Sequence, residues 1–136
     1  MRIVLDTNVL ISGLLNPGGN PGRVLDLFLA GEITLLVDDR ILAEYRAVLP
    51  RPKFSFDAND ILDVLDQIEA ESVRVMASPL GISLPDETDL PFLEVALAGE
   101  AQALVTGNAR HFKLPRGASL MVESPAQFVR RWRERS

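Results

Sequence analysis

Asp6, Glu44 and Asp89 stand out because one is an acid at the end of a buried strand and the other two are acids beside the apolar stripe of a helix. Asp6 directly follows the β-favouring run Ile3-Val4-Leu5. Glu44 lies three residues after Ile41 and four before Val48, and Asp89 lies four before Leu93 and seven before Ala96. Residues three and four apart share one face of a helix. Glu44 and Asp89 therefore project near an apolar stripe rather than into open water. Burying an unpaired carboxylate is expensive, and a shared cation removes that penalty for several carboxylates at once. Oxygen donors without Cys or a cluster of His favour Mg²⁺ or Mn²⁺ over Zn²⁺. The chemistry expected of such a set is metal-assisted.

Each acid also has an ordinary explanation. Asp6 can cap the helix that follows it. Glu44 can turn outward or pair with Arg40 or Arg46. Asp89 can complement a helix dipole from the N-terminal end. It is the conjunction of one strand end and two inward helix faces that points to a site.

The elements that must position these residues follow from the apolar periodicity. Ile3-Val4-Leu5, Ile33 to Val37 and Ala103-Leu104-Val105 are short apolar runs suited to strands buried on both faces. Leu120-Met121-Val122 predicts a last strand, and Val73 to Met76 a short one. Between them, helical spacing predicts a short helix over Val9 to Leu15. A second helix carries Val24, Leu25, Phe28 and Leu29 and ends at Gly31. A third, capped by Asp38 or Asp39, shows Ile41, Leu42, Tyr45, Val48 and Leu49 and stops at Pro50-Arg51-Pro52. A fourth starts near Asp57 or Asn59 with Ile61, Leu62, Leu65 and Ile68. A fifth, capped by Asp86 or Thr88, carries Phe92, Leu93, Ala96 and Leu97. Ser124 caps a closing helix with Pro125 in its first position. Residues 16–22, rich in Pro, Gly and Asn, predict a loop, as do 78–87. Strands and helices alternate, so the expected class is α/β with a parallel sheet, in one domain over 1–136. In such sheets ligands bind beyond the carboxyl ends of the strands. Asp6, Thr106 and Asn108 occupy that address.

Composition sets outer bounds. Hydrophobic residues make up 47% and charged residues 24% of the 136, an ordinary globular balance. No apolar run reaches the roughly 20 residues of a membrane span. There is no cysteine, so disulfides and thiolate zinc sites are excluded and a cytoplasmic location is the expectation. The net charge of −5 argues against a broad basic nucleic-acid surface. A carboxylate cluster that holds metal is itself acidic, and the ion supplies the positive charge that meets phosphate.

Four segments together resemble the PIN-domain family: residues 3–12, opening on Ile3-Val4-Leu5-Asp6-Thr7-Asn8; Leu42-Ala43-Glu44-Tyr45; residues 86–96, from Asp86 to Ala96; and Val105-Thr106-Gly107-Asn108 followed by His111-Phe112. Order and spacing hold over nearly the whole chain, and the nearest likeness is to the VapC-type toxins of bacterial toxin–antitoxin systems. The resemblance implies a three-layer sandwich with a central parallel sheet flanked by helices. It implies a Mg²⁺- or Mn²⁺-dependent ribonuclease, with Asp6, Glu44 and Asp89 in the metal-binding positions and Asn108 where many relatives have a fourth acid. Asn8, Thr106 and Asp86 would orient the carboxylates. Hydrolysis by water activated at the ion needs neither a Cys nor a His nucleophile, consistent with no Cys and a single His. The family pattern also implies an RNA substrate, a small antitoxin partner and a homodimer.

Other features carry less. Residues 17–22 lack the Gly-Lys-Ser/Thr ending of a phosphate-binding loop. Asp60, Asp63, Asp66 and Glu69 form a stripe opposite the apolar residues of their helix and read as a solvated face. Arg51 and Lys53 beside Phe54, and His111 beside Phe112, are weak candidates for RNA contact. Arg130, Arg131, Arg133 and Arg135 around Trp132 suit RNA phosphate, a partner surface or a solvated helix end equally. A phosphoacceptor receiver domain also places acids at strand ends, but it needs a Lys after the last strand, where this chain has Glu123-Ser124-Pro125. A PIN domain kept for protein or RNA binding, with weak or no catalysis, is the remaining alternative and rests on the neutral Asn108.

Overall fold

The computed structural model describes residues 1–135. Five parallel strands form the centre: β1 (Arg2–Leu5), β2 (Thr34–Val37), β3 (Val73–Arg74), β4 (Ala103–Val105) and β5 (Met121–Glu123). Their spatial order is β3-β2-β1-β4-β5. Ile3 pairs with both Leu35 of β2 and Ala103 of β4. Ile3, Val4, Leu35, Val37, Ala103, Leu104 and Val105 are wholly buried, as expected of strands covered on both faces.

Six helices flank the sheet: α1 (Thr7–Leu15), α2 (Asn20–Leu29), α3 (Asp39–Val48), α4 (Ala58–Glu71), α5 (Leu90–Ala98) and α6 (Pro125–Glu134). They sort into two principal packing sets. Helix α2 joins α1 and α6, while α3 joins α4 and α5. Helix α5 crosses β1, β2 and β4. The result is the parallel α/β class expected from the alternation of elements, in the layered sandwich that the family resemblance implies.

Capping follows the sequence closely. Asp38 accepts the Ile41 amide at the start of α3, Asp57 accepts those of Asn59 and Asp60 at α4, and Ser124 and Gln127 form a reciprocal capping box at α6. The 16–22 loop is shorter than expected, because α2 already begins at Asn20 with Pro21 in its first turn. Gly13 lets α1 meet α2 there, and Gly22 lets α2 close on the connecting turn. A Cβ on Gly13 would lie 2.9 Å from the Pro21 carbonyl oxygen, and one on Gly22 would lie 2.1 Å from that of Pro17. The expected strand at 73–76 is cut to two residues at the sheet edge. Leu62 is half-exposed instead of lying on the buried face of α4. The acidic residues Asp60, Asp63 and Asp66 are solvated as expected, and Glu69 pairs with Arg46 and Arg74.

Candidate active site

The strand order reverses at β1: chain growth runs β1-β2-β3 to one side, then returns to β4-β5 on the other. The crevice beyond the carboxyl ends of β1 and β4 is thus the topological switch point, where open α/β sheets bind ligands. Asp6 ends β1 and Thr106 ends β4. Their backbones continue the ladder, with the Asp6 amide on the Val105 carbonyl at 3.0 Å.

Asp6 is 4% exposed. It stands at the N-cap position of α1, but its side chain makes no capping hydrogen bond. It accepts instead from the Thr106 hydroxyl, at 2.7 Å, across 100 residues of sequence. Thr106 is fully buried, and its Oγ1 accepts the Asn108 amide at 3.1 Å. That second bond commits the hydroxyl proton to Asp6 and fixes the turn that carries Asn108. Burial raises the Asp6 pKa. The Thr106 hydroxyl and the nearby amides of Asn8 and Thr7 oppose the shift, and the charge of Asp86 adds to it.

Glu44, on α3, accepts a hydrogen bond from Thr7 in the first turn of α1. Neither neighbouring arginine takes it. Arg40 binds Asp38 and Glu94, and Arg46 binds Glu69. Asp89 is the N-cap residue of α5, reached through a 3₁₀ turn over Glu87–Asp89. Its pKa is pushed up to about 6, first by burial and then by the charges of Asp6, Asp86 and Glu44, with His111 opposing. Asp86 is exposed. It accepts the Thr88 amide at 2.9 Å and the Thr88 hydroxyl at 2.7 Å, which hold its pKa down.

Asp6, Glu44, Asp86, Asp89 and His111 thus share one electrostatic neighbourhood, with Thr106 beneath it. Asn8 and Asn108 are exposed at the rim. Lys53 lies over the Phe54 ring, 5.1 Å from its centroid, and Arg51 makes no contact with the acids. Among the described residues, no group of three or more His, Asp or Glu side chains is arranged to hold an ion unaided. The donor chemistry still fits Mg²⁺, which characteristically binds through one or two carboxylates and keeps several waters. Like charges are gathered here with no Lys or Arg among the described residues paired to them, and that is what a bound cation would offset.

Three participants were missed in the sequence. Thr7 lies outside the helix expected over Val9 to Leu15, and the sequence assigns it no role. Tyr45 is fully buried and donates its hydroxyl to the Leu5 carbonyl, which ties α3 to the end of β1 beside Asp6. Glu94, 5% exposed, receives Arg40 at 2.7 Å and the Leu80 amide at 2.9 Å. A signal for Glu94 existed, since α5 is apolar on nearly every face and a charge within such a helix must be buried.

Residues 2–110 match the PIN domain family. This chain is a PIN-domain protein. Asp6, Glu44, Asp89 and Asn108 all fall inside the matched region. PIN domains are generally nucleases. The protein is 30% identical to an uncharacterized protein of Methanocaldococcus jannaschii over 95% of this chain and 90% of that relative. Its fold matches a chain in the crystal structure of VapBC2 from Rickettsia felis bound to a DNA fragment from their promoter. The TM-score is 0.58 at 22% identity, over 91% of this chain and 98% of that one. That likeness is one of fold. No helix among the described residues is long and apolar enough to cross a membrane.

Proposed function

We propose that this PIN domain is a Mg²⁺- or Mn²⁺-dependent endoribonuclease acting as the toxin of a type II toxin–antitoxin pair in the cytoplasm. The observation that carries the reading is a set of mutually repelling carboxylates at the switch point with no Lys or Arg among the described residues paired to them. Asp6, Glu44 and Asp89 would hold the ion, and Asn108 would offer a neutral oxygen. When bound, the ion supplies Lewis acidity toward phosphate oxygens and makes water a stronger nucleophile. The chain's own part is positioning. Thr106 fixes the rotamer of Asp6 and Thr7 that of Glu44, while the Asp86 cap orders the turn that presents Asp89. RNA as substrate, a small antitoxin and homodimerisation rest on likeness to the VapC-type members of the family. A second reading, a PIN domain that binds protein or RNA with little catalysis, is favoured by one residue: the neutral Asn108 at the fourth position.

The test is cleavage of total RNA in Mg²⁺, Mn²⁺ or EDTA by wild type and Asp6→Asn. Cutting that needs the ion and falls at least about 100-fold in the variant is expected. Cutting in EDTA, or full activity in Asp6→Asn, overturns the assignment.

A further inference from the structure

The loop between β4 and β5 reverses the charge of the rest of the chain. Net charge is −5 overall, yet Arg110, His111, Lys113 and Arg116 fall within seven residues, and all four are exposed. Four arginines elsewhere, Arg40, Arg46, Arg74 and Arg131, each hold a carboxylate, whereas Arg23, Arg51 and Arg130 are scattered singly or lie away from the acids among the described residues. Among the described residues, Arg110, Lys113 and Arg116 have no such partner.

The placement of the loop gives these free cations a role. It leaves the sheet at the end of β4 through Asn108, whose amide is bound by Thr106, the same hydroxyl that holds Asp6. A 3₁₀ turn follows over Ala109–His111. Phe112 and Leu120 are buried, so both ends of the segment are pinned to the core. The charge of His111 reaches Asp86 and Asp89. Arg110 is the immediate neighbour of His111, and Lys113 and Arg116 follow it on the same anchored loop, which starts at the site rather than trailing from a free end.

A site built of acids repels a polyanion. One bound ion offsets that repulsion for the phosphate it meets, and the neighbouring phosphates still need cations. We propose that Arg110, Lys113 and Arg116 form a clamp on the RNA backbone, neutralising the phosphates that flank the one at the carboxylates. The proposal rests on the ribonuclease reading. Contacts of this kind position a nucleic acid without reading its sequence. The clamp should therefore act equally on RNAs of different sequence.

The test measures binding of short fluorescein-labelled single-stranded RNAs of two sequences by anisotropy across a salt series. The protein carries Asp6→Asn, so that the RNA stays intact, with and without Arg110→Gln, Lys113→Gln and Arg116→Gln together. Each single-strand phosphate contact contributes about 0.7 to the slope of log K against log salt. Loss of three should lower the slope by about 2 for both sequences. A slope that is unchanged, or that falls only in Arg51→Gln with Lys53→Gln, overturns the clamp and leaves the loop to an acidic protein partner. Wild-type cleavage in Mg²⁺ separates the two levels. If wild type cuts RNA and the triple variant keeps its slope, only the clamp fails. If wild type neither cuts nor binds RNA, the ribonuclease reading fails and the clamp falls with it.

Discussion

Asp6 and Glu94 are buried to nearly the same degree, 4% and 5% exposed, and their surroundings are opposite. Glu94 has its charge met within the chain: Arg40 on one oxygen and the Leu80 amide on the other. Glu123 repeats that solution with Arg131, whose Nε lies 3.0 Å away. Asp6 has only neutral donors, the Thr106 hydroxyl and the nearby amides of Asn8 and Thr7, and the charges that act on it are acidic. A buried carboxylate with its own arginine fastens the fold, here α3 and the 80s loop to α5. A buried carboxylate among other carboxylates adds cost to the fold, and that cost falls when a cation arrives from outside. Burial is the same in both places; the source of the compensating charge differs.

Three measurements press on this contrast. The largest effect expected is from added metal. At a hundredfold excess over its dissociation constant, Mg²⁺ should stabilise wild type by about 2.7 kcal/mol, read as a rise in Tm, and should do little for Asp6→Asn. An equal rise in both proteins would mean that the ion binds elsewhere. Next, Glu94→Ala should cost about 2 kcal/mol, a fall in Tm of roughly 6 °C, because it strands the Leu80 amide and Arg40. Asp6→Asn without metal should lose far less, or gain, since it removes a buried charge that no Lys or Arg among the described residues offsets. Similar losses in the two variants would erase the distinction drawn between them.

The smallest effect is on pH. Burial and neighbouring acids raise Asp89 to about 6, above the unfolded value near 3.9. For a carboxyl raised on folding, the stabilising contribution is full below the unfolded pKa and is lost as pH rises through the folded one. In EDTA, the Tm of wild type relative to Asp89→Asn should therefore decline between about pH 4 and 6. The size is modest because Asp89 is only partly buried and solvent screens it. A difference that grows with pH would contradict the direction of the shift.

Much of the fold was legible because it rests on local rules. Helix caps at Asp38, Asp57 and Ser124 and the buried strands at β1, β2 and β4 need only neighbouring residues to be inferred. Boundaries failed where distant packing intervened. Asn20 joins α2 because Gly13 lets the α1 and α2 backbones touch and Gly22 lets α2 close on the turn at Pro17, and β3 shrinks because it has one neighbour at the sheet edge. The acids of the site were legible one by one, through strand end and helical phase. Their alternatives were not separable at that stage. Arg40 lies four residues before Glu44, a spacing that favours a pair on a helix surface, yet it turns to Glu94 on α5 instead.

What the sequence by itself determined, then, is which residues face inward and which element each one ends or begins, because periods of 2 and 3.6 are properties of a single segment. The tertiary structure decided which charges cancel. Strand order sets Thr106 against Asp6 across 100 residues. The packing of α3 on α5 gives Arg40 to Glu94 and leaves Glu44 without a cation. Charge compensation depends on distance in space, and distances between elements are fixed only once the sheet has formed.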